Sequence, residues 1–560
     1  MPPNAPSAPL RDAWIRLGAL GALFTGSVIF VQLPIDLWAG NTAEFQSSSW
    51  QLFALGVAAV VVTVACSSGL LWLLPPGRRR MAASAFCAVG LIAWIQGNFL
   101  VGRMTALNGQ QAPVDFAPGH QALTMLAAVV AVVVVALGVS RAPRAALVAL
   151  ALLTTGLYAA TIAALATSPA QQRAHRVATA TSVFRFSSRE NVLVVLLDGL
   201  ESGVARHVFQ QFPAIARAFD GFRLYPDTAG VAPTTFLSIP AIHSGTIYSP
   251  ALAPAKYFVN AIQRQSFMNR FADAGFETVL LNPVEDVCPA RVGTCTAASQ
   301  VLRSAGARLR HEGLQLLDLS LFRASPAWLK RRIYNDGEWL TAGRMDVPYE
   351  IARVVEGNEL IEQLSLRLSV DDGAPALKFV HSMSTHTPYV LNDDCRTFAR
   401  TSVDHLIPQA RCGLLAVASL LDRLKDAGAY DNTLIVVMAD HGVNPGVYGR
   451  STSDALGRGW QHLAGAANPV FLMKPQRSRG ALTQVSDAVH VPDLGAMLCA
   501  QIRRCRGGAP IAGVERPPTR PRRFDDYEWK HEFWRSRSIA NLTSYEIRGP
   551  VWKRSSWSRR

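Results

Sequence analysis

Apolar residues follow two patterns along the 560-residue chain. Up to residue 166 they form long unbroken runs; from residue 191 they come as short runs set between helical patterns and turn formers. Five early runs (Ile15–Leu37, Leu52–Leu74, Met81–Val101, Ala122–Val139 and Ala145–Leu165) approach or exceed the ~20 residues a helix needs to cross a bilayer. The first continues to Leu37 and four more follow it, so it reads as a span and not as a cleaved leader. Residues 1–166 are therefore expected to be a membrane region of five transmembrane helices. Polar residues 167–190 read as a juxtamembrane linker. Residues 191–513 alternate strand candidates (Thr278–Leu281, Leu377–His381, Leu434–Met438, Val470–Met473) with helix candidates (Phe258–Ala274, Cys412–Ala427). That alternation predicts an α/β domain whose largely parallel sheet is covered by helices on both faces. Residues 514–560 turn basic and Trp-rich, and read as a solvated tail or a small terminal hairpin.

Charge orients the spans. The loop Pro75–Arg80 carries three consecutive arginines, and Arg141 and Arg144 sit between the fourth and fifth runs. The other two loops, Gly40–Ser49 and Gly102–His120, hold only Arg103. The positive-inside rule puts the Arg-bearing loops and the N-terminus in the cytoplasm. Everything after Leu165 is then exported. The formal charge of +15 calls for an anionic partner. With so many apolar spans in the same chain, phospholipid head groups are expected in that role and nucleic acid is not.

Cysteine usage agrees with export. Cys66 and Cys87 lie within spans and read as small apolar packers. The other six form close pairs, Cys288 with Cys295, Cys395 with Cys412, and Cys499 with Cys505. Even numbers at short separation in an exported domain predict three local disulfides. A zinc site is the weaker reading, because no CxxC is present.

Two apolar runs of the second region end in acids. Asn191–Leu200 reads NVLVVLLDGL and Asn432–Asn444 reads NTLIVVMADHGVN. Buried parallel strands look like this, and open α/β sheets place their ligands at the carboxyl ends of such strands. Asp198, Asp440 and His441 would meet there as a divalent-metal site. A third stretch, Ala229–Gly245, places Thr234 and Thr235 before a helical apolar pattern. A threonine at a helix start is commonly a cap, but the same position favours a phosphoryl oxygen. Its hydroxyl becomes a nucleophile when metal coordination lowers its pKa.

The order of NVLVVLLDGL, TTFLSIP, HSMSTHTPY and VVMADHG resembles the alkaline phosphatase and sulfatase superfamily. The membrane-anchored arrangement is similar to the lipoteichoic acid synthases and lipid A phosphoethanolamine transferases. The resemblance implies a sulfatase-like fold for residues 191–513 and one divalent ion, Zn²⁺ or Mn²⁺, held by Asp198, Thr235, Asp440 and His441. Thr235 is the implied nucleophile, since Thr235-Phe-Leu-Ser238-Ile-Pro240 fits the transferases' Thr-x-x-Ser-x-Pro pattern. His386 and His462 are the implied substrate-side histidines. Their strand-end acid is commonly Glu where this chain has Asp198, as sulfatases do. The Cys/Ser-x-Pro-x-Arg of formylglycine sulfatases is missing around Thr235, and Cys288-Pro-Ala-Arg291 has the wrong spacing. Ser382 stands where two-metal members carry the Asp of Asp-x-x-x-His, so a second metal is not expected. The implied activity moves a phospholipid-derived head group, phosphoethanolamine or phosphoglycerol, to an envelope glycan or lipid at a bacterial inner membrane. The alternative is a hydrolase of phosphate or sulfate esters in the periplasm.

Overall fold

The computed structural model describes residues 8–42, 45, 47–102, 118–167, 180–335, 339–345, 349–397, 401–442, 458–502, 504–505 and 521–560. Half of the expected 167–190 linker (168–179), most of the 102–120 loop (103–117) and residues 514–520 lie outside them. The chain forms two compact units, Met1–Gln171 with Arg303–Glu350, and Gln172–Leu302 with Ile351–Arg560.

Among the described residues, the first unit holds five helices long and apolar enough to cross a membrane, Ala13–Gly40, Ser49–Leu73, Pro76–Phe99, Pro118–Val139 and Pro143–Ala166. Their starts follow local chemistry. Ser48 accepts the Gln51 N–H in a capping box, and Pro76 occupies the first turn of its helix, where a missing N–H costs nothing. Between apolar helices, close approach rests on small residues. At Gly21 a Cβ would stand 2.8 Å from the Cys87 sulfur. Cys87 is buried there, whereas Cys66 is exposed on the surface of its span.

Segment Arg303–Glu350 belongs to this unit although it lies far downstream in sequence. Its helices Ala305–Ala324 and Ala327–Tyr334 make polar contacts at the ends of the spans. The Ser47 N–H donates to Glu312 Oε2 (2.8 Å), Arg323 Nε to the Gly97 carbonyl (2.7 Å), and the Ala327 N–H to Thr124 Oγ1 (3.4 Å). All three lie at the span ends away from Pro75–Arg80 and Arg141–Arg144.

The second unit is built on an eight-stranded sheet. Its strands are β1 Asn191–Leu197, β2 Arg223–Leu224, β3 Glu277–Leu281, β4 Thr294–Thr296, β5 Ala376–Ser382, β6 Thr433–Met438, β7 Phe471–Lys474 and β8 Thr483–Gln484. In space they run β8-β2-β7-β6-β1-β5-β3-β4. β6, β1, β5, β3 and β4 are mutually parallel, while β7 is antiparallel to both its neighbours. β1 is central and buried at all seven positions because both faces are covered. Leu193, Val195 and Leu197 pack with helices Ser202–Gln211 and Leu406–Asp426. Val192, Val194 and Leu196 pack with helices Thr235–Ser244, Pro254–Gln263 and Leu494–Gln501.

Two local expectations change in form. The run Phe258–Ala274 is two helices, Pro254–Gln263 and Phe267–Asp273, because the Ser266 hydroxyl takes the Met268 N–H and starts a new helix. The C-terminus is neither a tail nor a lone hairpin. It forms a three-stranded antiparallel sheet, Arg522–Asp526, Thr543–Ile547 and Trp557–Arg559. Phe524, Ile547 and Trp557 bury one face of it. The three cysteine pairs are bridged, with Cα–Cα distances of 6.1 Å for Cys288–Cys295, 5.5 Å for Cys395–Cys412 and 4.9 Å for Cys499–Cys505.

Candidate active site

Three neighbouring parallel strands deliver the site residues. β1 ends at Leu197 and Asp198 follows; β6 ends at Met438 and Asp440-His441 follows after one residue. β5 flanks β1 on its other side and carries His381, opposite Leu196 in register. Parallel neighbours end at the same edge, so two carboxylates and two imidazoles converge there. Gly199, with φ 73°, turns the chain sharply after Asp198, and its N–H donates to Asp440 Oδ1 at 3.4 Å.

The two oxygens of Asp198 have different surroundings. Oδ2 receives the Thr235 hydroxyl at 3.2 Å and faces His381 Nε2 at 2.9 Å. Oδ1 is buried without a hydrogen-bond donor, 3.5 Å from His441 Nε2 and 4.0 Å from His386 Nε2. Asp440 Oδ2 is likewise buried and unpartnered, 3.6 Å from His441 Nε2. Ligand atoms of Asp198, Asp440 and His441 all lie within 4.8 Å of one another. Buried carboxylate oxygens normally find a donor, and two orphaned side by side fit a cation-binding pocket. A borderline ion such as zinc accepts this oxygen–nitrogen donor set.

The electrostatics say the same. Burial pushes the Asp198 carboxyl up, but attraction to His386, the hydrogen bond with His381 and attraction to His441 outweigh it and hold Asp198 ionised well below its usual range. Burial, and then the Asp198 charge beside it, raise Asp440. Burial disfavours the charged form of His441, yet the Asp440 and Asp198 carboxylates win and raise it. Two crowded buried carboxylates, one of them raised by the charge of the other, are a repulsion that a divalent cation would offset.

Thr235 comes from a helix packed on the Val192, Val194 and Leu196 face of β1. It is the first residue of helix Thr235–Ser244, and Thr234 is the N-cap position, extended at φ −143°. So Thr235 and not Thr234 reaches Asp198. His386 lies in the loop after β5, about a third of its side chain exposed, near enough to Asp198 to face an incoming group. His462 is exposed on helix Arg458–Ala466, and residues 443–457, which join it to His441, lie outside the described set. His381 was visible in the sequence as a strand residue, but nothing local marked it as a site residue. Its role follows from strand order, which no short-range pattern encodes.

The sulfatase family profile matches residues 190–494, more than half of the chain and every strand and loop just described. The chain belongs to the sulfatase family. As a member of that family it is an enzyme. Similar solved structures include the lipoteichoic acid synthase LtaP from Listeria monocytogenes, at 10% identity over 68% of this chain and 82% of that one, with TM-score 0.35. The C-terminal periplasmic domain of EcEptC from Escherichia coli is 15% identical over 66% of this chain and 92% of that one, with TM-score 0.35. A protein of the alkaline phosphatase superfamily from Vibrio parahaemolyticus is 11% identical over 68% and 83%, with TM-score 0.39. No curated protein matches the sequence.

Proposed function

We propose that the protein is a membrane-bound phosphotransferase that moves a phospholipid-derived head group, phosphoethanolamine or phosphoglycerol, onto an envelope glycan or lipid through a phospho-threonine. The observation that carries this reading is the Thr235 hydroxyl, at a helix N-terminus and hydrogen-bonded to Asp198 Oδ2, beside a buried acid–imidazole cluster. In the first step Thr235 Oγ1 bonds to the donor's phosphorus and the phosphoester to the lipid alcohol breaks. Asp198 Oδ2, already accepting the hydroxyl hydrogen, is the nearest base for its proton. The N-terminal N–H groups of helix Thr235–Ser244 face the phosphoryl oxygens and stabilise their charge. In the second step the acceptor hydroxyl attacks phosphorus and Thr235 regains its proton. His386 is positioned to exchange the proton of the leaving or entering alcohol. Asp198, Asp440, His441 and Thr235 would hold a Zn²⁺ or Mn²⁺ ion, which supplies Lewis-acid stabilisation of charge at the reacting oxygens when bound.

A lipid donor suits the five candidate spans, and the arginine asymmetry of the loops supports a bacterial inner-membrane protein with a periplasmic catalytic domain. The contacts of Arg303–Glu350 at the span ends away from the arginine loops support the same orientation. Nucleic acid has no part in this reading. A second reading, periplasmic hydrolysis of phosphate or sulfate esters, is favoured by Asp198 as the strand-end acid and by the family match. Incubation of the full-length protein with head-group-labelled phospholipid and an envelope fraction separates the two. Label on a glycan or lipid acceptor supports transfer; label appearing only as a water-soluble product supports hydrolysis.

A further inference from the structure

The helix that carries Thr235 begins in an unusual way. A helix start leaves four backbone N–H groups without an intrahelical partner, and an N-cap threonine commonly answers one of them. Thr234 occupies the N-cap position but makes no side-chain bond to its own helix. Its Oγ1 instead shares a 2.5 Å hydrogen bond with Tyr527 Oη, 293 residues away. The backbone of Leu237, the third residue of the helix, also acts on that phenol, opposing the effect of burial on it. One tyrosine from the C-terminal segment thus holds the N-cap side chain that makes no bond to its own helix.

The neighbours of Tyr527 fix the same stretch of chain. Arg522 Nη2 pairs with Asp227 Oδ1 at 2.9 Å, and the Val551 N–H donates to that oxygen at 3.0 Å. The Asp525 N–H donates to the Val231 carbonyl at 2.7 Å. Trp534 packs edge-on against Phe236, the residue after Thr235, with ring centroids 4.9 Å apart. Asp227, Val231, Thr234 and Phe236 are thereby tied to residues 522–551 from both ends of the approach to Thr235. Tyr527 itself is buried, and burial pushes its hydroxyl well above the usual tyrosine range, so it stays a donor across the physiological span.

We propose that Tyr527 is a positioning residue for the reaction: its hydroxyl fixes the first turn of helix Thr235–Ser244 and so holds Thr235 Oγ1 on Asp198 Oδ2. Tyr527 touches neither Asp198 nor an incoming group in this arrangement; it acts through Thr234. The inference rests on Thr235 being the nucleophile. Orientation of a nucleophile bears on the chemical step and leaves substrate affinity alone, and the buried group Asp198, Asp440 and His441 keeps the metal when Thr235 shifts.

The test uses full-length protein carrying Tyr527→Phe, Thr234→Val, both together, or Thr235→Ala, with kcat, KM, bound metal and melting temperature measured for each. Tyr527→Phe keeps the ring and its packing and removes only the oxygen. It should lower kcat about tenfold, the scale of one lost orienting hydrogen bond, with KM and metal content unchanged. Thr234→Val should do the same, and the double variant should be no worse than either single. Wild-type kcat in Tyr527→Phe beside a dead Thr235→Ala overturns this inference alone. Losses that multiply in the double variant, or that track lost metal or a lowered melting temperature, overturn it in favour of a merely structural contact. Activity retained in Thr235→Ala overturns the nucleophile assignment, and the positioning role with it.

Discussion

Thr235→Ala removes the hydroxyl and the γ-methyl at the first residue of helix Thr235–Ser244. The hydroxyl's bond in the structure is the 3.2 Å contact to Asp198 Oδ2. Asp198 Oδ2 keeps His381 Nε2 at 2.9 Å, so the substitution leaves no newly orphaned acceptor on it. Thr235 is inside the helix and is not its cap, so no capping bond is lost. Alanine also has the higher helix propensity, which offsets part of the loss. The net cost in stability is then about 1 kcal/mol or less, and the melting temperature should fall by only about 2–4 °C. Turnover behaves differently. Without the hydroxyl no covalent phospho-threonine can form, and loss of a nucleophile costs at least about a thousandfold in kcat. Transfer of head-group label from phospholipid, measured beside a thermal melt and intact-protein mass spectrometry, reads all of this. Wild-type protein given donor without acceptor should gain a phosphoryl-containing adduct on Thr235, Thr235→Ala none, and Thr235→Ser a reduced amount. Turnover in Thr235→Ala within about tenfold of wild type would refute the reasoning, and direct attack by water would become the better account.

The other predictions follow from buried charge and from topology. Asp440→Asn should lower metal affinity by more than the roughly 10- to 100-fold typical of losing an outer partner, read by elemental analysis after dialysis against buffered zinc. Full occupancy would leave Asp440 a structural strand-end residue. Because burial and Asp198 raise the Asp440 carboxyl, its charge is disfavoured at neutral pH, and metal-free Asp440→Asn should melt no lower than the metal-free parent. Lys378 is fully buried in β5, donating to the Ser182 carbonyl at 2.8 Å, and burial depresses it to about 7. Its unfolded form keeps the proton up to about pH 10.4, so wild-type stability should rise between these values and Lys378→Met should remove that rise. A pH-independent gap between the two in chemical denaturation would contradict it. A reporter fused after Arg144 should signal cytoplasm and one fused after Ser168 the exported side; an exported signal at Arg144 would overturn the orientation.

Long apolar runs announced the spans and the central strands because burial on all sides leaves the same mark whatever the neighbours are. NVLVVLL had to be covered on both faces, and β1 is buried at every position. An acid placed directly after such a run must stand at the strand's carboxyl end, so Asp198 and Asp440 were legible as candidates before any fold was known. Their meeting at one sheet edge was expected, but the strand neighbours that bring it about were not legible. It depends on β5 and β6 flanking β1, which is a matter of strand order, and the same order brings His381 onto Asp198. The grouping of Arg303–Glu350 with the spans, and the hold of Tyr527 on Thr234 across 293 residues, are likewise decided in three dimensions. Residues 514–560 looked like a solvated tail because their polar atoms carry no short-range periodicity. Arg522 and Tyr527 are buried by partners, Asp227 and Thr234, that lie hundreds of residues away, and only the tertiary fold pairs them. Sequence patterns report which residues leave water; which of them then touch is set by contacts whose separation along the chain no local pattern records.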